Sequence, residues 1–275
     1  MMKNEYKLIC IDVDRTLYND HKIIPEENKK AIQEADQKGI LIAITTGRMF
    51  HYGHLYGGML GANTITIASN GAFVKYKGEI LNHQKVSHED MVFLKDKIEK
   101  YNFFAHYNTW NALVCKGDLG DGNGYVAANQ KLPDQMKIDI VVTEDLNKEF
   151  LLRKDQFLKA IILSKGRHED LMKLREELKD HPRLAMAFSS RDNLEVFHKD
   201  VGKERGIETL IRKLGIRKEE VMAIGDAEND LSMITYAGLG VAMGNASSEV
   251  KEAADYITET NNEAGVAKAI RKFCL

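Results

Sequence analysis

The chain has 275 residues, enough for one large domain or two smaller ones, and its 44% hydrophobic and 29% charged residues exclude a disordered, fibrous or membrane-embedded class. Lysine and arginine number 39 against 41 acidic residues, a formal charge of −2, which provides no basic field for a nucleic-acid backbone. The opening Met1-Met2-Lys3-Asn4-Glu5 lacks the apolar stretch of a signal peptide, no apolar run approaches bilayer length, and Cys10, Cys115 and Cys274 are too far apart for a metal-ligand pair or disulfide framework. We therefore expect a cytoplasmic protein with reduced cysteines and neither nucleic acid nor membrane as partner.

In chain order, residues 8–11 form a short apolar run ending at carboxylates, the pattern of a strand buried on both faces. Pro25 opens a helix with Ala31, Ile32 and Ala35 on one face, closed by Gly39. A second apolar strand follows at 40–44, which makes a right-handed parallel crossover unit. A third strand falls at 64–68. The texture then changes. Residues 87–101 read as a helix capped by Ser87 and Asp90, followed by strands near 103–107 and 113–115 and a loop over 118–124. A strand over 157–163, a helix over 168–178 with Leu171, Leu174 and Leu178 on one face, and a strand over 184–188 complete this part. Apolar strands return at 221–224 and 238–242. The expected fold is α/β: a doubly wound parallel-sheet core over 1–83 and 191–275, with an α+β module inserted at 84–190.

Three motifs sit where strands give way to loops. Asp12-Val13-Asp14-Arg15-Thr16 ends the first strand. Two carboxylates flanking one residue can divide nucleophilic and proton-transfer work, or simply cap a helix. Thr45-Thr46-Gly47-Arg48 ends the second; a hydroxyl, a glycine and a helix start suit an anion such as phosphate, or an ordinary cap and turn. Gly225-Asp226-Ala227-Glu228-Asn229-Asp230 crowds carboxylates beside a carboxamide, which suits a hard cation such as Mg²⁺ or a solvated acidic helix start. Lys203 is the lysine best placed in sequence to supply positive charge to such a site.

Taken together, these blocks resemble the haloacid dehalogenase superfamily. Ser69-Asn70-Gly71-Ala72, Val241-Ala242-Met243-Gly244-Asn245-Ala246 and Glu263-Ala264-Gly265-Val266-Ala267 are similar to its Cof-type phosphatase branch, in which an α+β cap follows the third core strand. The resemblance implies a Rossmann-like core and a cap that sets substrate specificity. It implies Asp12 as nucleophile, forming an aspartyl-phosphate, and Asp14 as the acid and base. Mg²⁺ would be held by Asp12, the backbone carbonyl of Asp14 and Asp226. Phosphate would be bound by Thr46, the Gly47 amide, Lys203 and Asn229, with Asp230 in support. The branch usually has glycine where this chain has Arg15; an arginine there is strained if the site needs a positive φ, and it could meet an anionic group of the substrate.

The expected partner is a small phosphorylated metabolite, sugar phosphates first, then phosphorylated cofactors such as pyridoxal phosphate or flavin mononucleotide. Asp14 favours ester hydrolysis over halide displacement. The other readings are a phosphomutase and a non-catalytic phosphometabolite-binding regulatory protein. His106, Tyr107, Trp110, Asn111 and Tyr125 are candidate leaving-group contacts, and the chain is expected to be a monomer or weak homodimer.

Overall fold

Fourteen strands account for both sheets of the computed structural model, which describes residues 6–120 and 124–275. The opening Met1–Glu5 and part of the loop expected over 118–124 lie outside the described residues. In chain order the strands are Leu8–Ile11 (β1), Leu41–Thr45 (β2), Thr64–Ala68 (β3), Phe73–Tyr76 (β4), Glu79–His83 (β5), Phe104–Asn108 (β6) and Ala112–Cys115 (β7). They continue with Asp139–Val142 (β8), Lys159–Leu163 (β9), Leu184–Ser190 (β10), Asn193–His198 (β11), Val221–Gly225 (β12), Leu239–Ala242 (β13) and Tyr256–Ile257 (β14).

The chain divides into two units, one comprising residues 1–48, 53–82 and 202–275 and the other 49–52 and 83–201. The first holds an eight-stranded sheet in the order β14-β13-β12-β1-β2-β3-β4-β5. Its central strands pair in parallel, and β4 turns back antiparallel to β3. Every residue of β1 and β12 is buried, as continuous apolar runs require when helices cover both faces. The helix Glu26–Gln37 begins after Pro25 and ends before Gly39, whose φ of 84° makes the left-handed exit. The helix Lys203–Leu214 buries Lys203, Gly206, Ile207, Leu210 and Ile211, a stripe of helical spacing in which a lysine occupies a core position.

The second unit holds a six-stranded sheet in the order β10-β11-β9-β6-β7-β8, antiparallel except for β7 with β8. One face carries Ala105, Tyr107, Val114, Ala160, Ile162, Leu194 and Val196, which share a core with the helices His88–Lys100, Leu146–Leu152 and His168–Leu178. Alternation puts His106, Lys159 and Glu195 on the opposite face, where Lys159 Nζ meets Glu195 Oε2 at 2.6 Å with both side chains buried.

The expected α/β class and inserted α+β module are present, but the module runs past the expected edge at 190. Residues 193–198, left in the core by the sequence reading, form β11, a central strand of the second sheet between β10 and β9. The polar turn at 190–192 is a hairpin and not an interdomain link. No helix among the described residues is long and apolar enough to cross a membrane.

Candidate active site

Ile11, at the end of β1, stands opposite Ile44 of β2 and Ile224 of β12. Asp12, Thr46 and Asp226 therefore all leave the parallel sheet at its carboxyl edge, where open α/β sheets bind ligands. The Asp12 N–H still donates to the Ile224 carbonyl at 3.0 Å, after which residues 13–17 coil into one wide turn closed by the Tyr18 N–H on the Val13 carbonyl at 3.0 Å. Arg15 in this turn has φ 65°, so the position does demand the left-handed region, at a cost of about 1 kcal/mol or more for a residue with a Cβ. Its side chain is exposed. Its carbonyl accepts from Asn245 Nδ2 at 2.9 Å, and Asn245 Oδ1 accepts the Asn261 N–H at 2.9 Å, which braces the turn.

Lys203 begins its helix with its side chain wholly buried, pointing at the sheet edge. Its Nζ lies 2.6 Å from Asp12 Oδ1 and also bonds Asp230 Oδ1. Asp230 uses its other oxygen to accept the N–H groups of Asp226 and Ala227, at 2.9 and 3.0 Å. Asp226 Oδ1 accepts the buried Thr16 hydroxyl at 2.8 Å. One ammonium thus serves two carboxylates, and burial, which opposes its charge, is outweighed by Asp12 and Asp230, so that Lys203 is held protonated.

Asp12, Asp226 and Asp230 are all buried and present carboxylate oxygens within 4.8 Å of one another. Three carboxylates to one ammonium is an excess of negative charge in a place shielded from water. Burial and the charge of Asp230 push Asp12 well above its usual range despite Lys203, and push Asp226 up to about 7 despite the Thr16 hydrogen bond. A hard divalent cation would supply the missing charge. The donor set fits one: it is all oxygen, and with Asp12 Oδ1 on Lys203 and Asp226 Oδ1 on Thr16, each keeps its Oδ2.

Asp14 is oriented differently. Its half-exposed carboxylate lies outside the buried trio and receives a two-point hydrogen bond from Arg48, with Nε to Oδ2 and Nη2 to Oδ1 both at 2.8 Å. Crowding by protein opposes its charge, but the Arg48 guanidinium overcomes this and holds the carboxyl below its ordinary value. Arg48 is in turn fixed through its backbone, its N–H donating to Thr46 Oγ1 at 3.1 Å and its carbonyl accepting the Ser69 N–H at 2.9 Å, while the guanidinium carbon sits 5.7 Å from the Tyr56 ring centre. The sequence reading passed over Arg48, although it closes the quoted Thr-Gly-Arg run; a cation directly after an anion-binding turn was the available signal. Asn229 donates through Nδ2 to Asn70 Oδ1 at 3.3 Å, and Gly47 lies half-buried in the turn after β2. Among the leaving-group candidates, Tyr107 belongs to the apolar core of the second unit, because its position on β6 faces the helices. His106 faces the other way, with Nδ1 2.9 Å from Asn108 Oδ1 and its ring 5.1 Å from that of Tyr125.

A doubly wound sheet with an inserted α+β unit, and a carboxyl edge that gathers three buried carboxylates around one buried lysine, is an arrangement suited to phosphate-ester chemistry. The family model described as haloacid dehalogenase-like hydrolase matches residues 9–270, and the chain belongs to that family, in its Cof-type phosphatase branch. It is 36% identical over 98% of its length, and 97% of the relative's, to the 5-amino-6-(5-phospho-D-ribitylamino)uracil phosphatase YcsE of Bacillus subtilis. A haloacid dehalogenase-like hydrolase from B. subtilis superposes with a TM-score of 0.85 at 27% identity, covering 96% of this chain and 99% of that one. A sugar phosphatase of subclass IIB superposes with a TM-score of 0.79 at 25% identity, covering 97% and 98%. The protein is accordingly a phosphoric monoester hydrolase.

Proposed function

We propose that this phosphatase is magnesium-dependent and hydrolyses a small phosphorylated metabolite through a phosphoryl-Asp12 intermediate. The observation that carries the reading is the Lys203 ammonium bridging Asp12 and Asp230 beside Asp226 at one sheet edge. Asp12 attacks phosphorus and the ester P–O bond breaks, while Asp14 gives its proton to the departing alkoxide. Asp14 then takes a proton from a water that attacks the same phosphorus, which releases orthophosphate and restores the Asp12 carboxylate. Thr46, the Gly47 amide, Lys203 and Asn229 hold the phosphoryl oxygens, and Asp230 fixes Lys203. Mg²⁺, held by Asp12, the Asp14 carbonyl and Asp226, would neutralise charge between nucleophile and phosphate. The two-point bond to Arg48 suits Asp14 in its ionised, base half of the cycle. The acid half requires one of those bonds to loosen.

The second unit acts in this reading as the cap that selects the leaving group, joined to the core near residues 83 and 201. Sugar phosphates come first as substrates. The name of the 36% relative adds a specific candidate, a 5-phosphoribityl group on an aminouracil, which is a polyol phosphate. The three cysteines are free, and Cys10 and Cys115 are buried, which is in keeping with residence in the cytoplasm. A screen of sugar phosphates, pyridoxal phosphate, flavin mononucleotide and the ribitylaminouracil phosphate, with Mg²⁺ and with chelator, tests the proposal. Turnover indifferent to chelator removes the metal, and turnover of none of these esters removes the substrate class.

A further inference from the structure

The loop between β3 and β4 holds strained backbone in a buried place. Ser69, Asn70 and Gly71 follow one another with φ of 50°, 55° and 91°, and all three are buried. For the two residues with a Cβ, this left-handed conformation costs about 1–3 kcal/mol each. The Ser69 hydroxyl is also enclosed without a hydrogen-bond partner, a further cost of about 1–3 kcal/mol. The Ala72 N–H closes this turn on the Ser69 carbonyl at 3.1 Å, with Asn70 and Gly71 as its two central residues, a left-handed pair that tight connections between antiparallel strands such as β3 and β4 favour; the positive φ of Ser69 and its enclosed hydroxyl go beyond what the connection needs.

The strain accompanies placement. The Asn70 N–H donates to the Thr46 carbonyl at 3.1 Å, and the Ser69 N–H to the Arg48 carbonyl at 2.9 Å. Asn70 Oδ1 accepts from Asn229 Nδ2 at 3.3 Å. On its other side, a Cβ at Gly71 would collide with the Gly202 carbonyl, and a Cβ at Gly206 would stand 2.9 Å from Gly71 Cα, so the turn packs against the first turn of the helix that carries Lys203. One short segment therefore touches the tip of β2, the loop after β12 and the base of the lysine helix.

We propose that Asn70 is a positioning residue for the anion-binding end of the site, orienting the Asn229 carboxamide so that its amide faces the phosphoryl oxygens. The strained turn is retained because it brings Asn70 within reach of Asn229 while its own backbone fixes Thr46. This rests on the reading of Asn229 as a phosphate ligand, and the experiment separates the two. Asn70→Gly keeps the left-handed backbone without strain and removes only the amide, so the variant is expected to melt at or above the parent temperature. Kinetics with para-nitrophenyl phosphate and inhibition by orthovanadate are measured for Asn70→Gly, Asn229→Ala and the double variant. The expected result is about tenfold weaker vanadate inhibition and about tenfold lower kcat/KM for each single variant, with the double variant no worse than Asn229→Ala alone. Parental inhibition in Asn70→Gly, or losses that multiply in the double variant, would overturn the inference while leaving Asn229 in its role. Parental inhibition in Asn229→Ala would remove the phosphate-ligand reading and the inference with it.

Discussion

Replacing Lys203 with methionine keeps the length of the side chain and deletes its charge. The ammonium lies 2.6 Å from Asp12 and bonds Asp230 as well, and at that distance each contact has a gross attraction of roughly 6 kcal/mol at an effective dielectric of 20. Most of this is offset by desolvation. The measurable loss on breaking a buried pair is about 3–5 kcal/mol, because the carboxylates stay behind unpaired. For a chain of this size that is a fall in melting temperature of about 6–10 °C. The sign of its pH dependence follows from the groups left behind. Without Lys203, the Asp12 carboxyl, which burial and neighbouring carboxylates already hold above its ordinary value, would be raised further in the folded state, so protonation would relieve the repulsion at low pH and the deficit would grow as pH rises. Thermal melts of parent and Lys203→Met at pH 5.5 and 8.0, without added metal, read this directly. The gap is expected to widen at pH 8.0, and kcat to fall about a thousandfold through loss of an ionised, positioned nucleophile. A variant that melts with the parent at both pH values, or retains turnover within a few-fold, would refute the reasoning.

Four other outcomes follow from named contacts. Mg²⁺ at a hundredfold over its dissociation constant should stabilise the parent by about 2.7 kcal/mol, and Asp226→Asn by much less; equal shifts in calorimetric melting would move the metal elsewhere. His106 is held neutral by burial, its pKa lowered to about 4, so the unfolded chain binds the extra proton and stability should drop as pH falls from about 6.5 toward 4, by up to roughly 3 kcal/mol. Denaturant titrations of parent and His106→Gln across that range check it, the variant being expected to lose the slope. Gly206→Ala should destabilise by about 1–3 kcal/mol, since its Cβ would lie 2.5 Å from Ile67 Cγ2 and 2.9 Å from Gly71 Cα; helix propensity alone predicts a gain, so the sign of the melting shift decides. Arg15→Gly should raise stability by about 1 kcal/mol by relieving a φ of 65°, and an unchanged substrate profile in that variant would remove any contact of Arg15 with the substrate.

Much of the core was legible in the sequence because its signals are local. Continuous apolar runs located β1, β2, β12 and β13 and an alternating Thr-Ile run located β3, Ser87 does cap a helix by accepting the Asp90 N–H, and the motif residues fall at the strand tips that the runs define. Elements whose evidence is non-local were missed. The strand β11, Asn-Leu-Glu-Val-Phe-His, includes a glutamate that pairs with Lys159 in the second sheet, and a charge in mid-strand disguises a buried element. Tyr107 and His106 are neighbours in sequence and face opposite ways, which only the register of β6 decides. At the site, Asp12, Lys203, Asp226 and Asp230 come together from three separate stretches of chain. Lys203 had a readable signal in the stripe it shares with Ile207, Leu210 and Ile211, where a lysine at a core position must find a buried partner. For Arg48 the only signal is a cation directly after an anion-binding turn, which does not reveal its bond to Asp14, and for the turn at Ser69–Gly71 the Asn-Gly pair signals a turn but not the positive φ of Ser69.

Attack of Asp12 on phosphorus is tested most directly by rapid-quench capture of the protein during turnover of a radiolabelled phosphate ester. Label should appear on the chain within the first turnover, be released by hydroxylamine as an acyl phosphate is, map to the peptide containing Asp12, and be absent in Asp12→Asn. Orthophosphate released at the full rate with no label ever attached to the protein would contradict it.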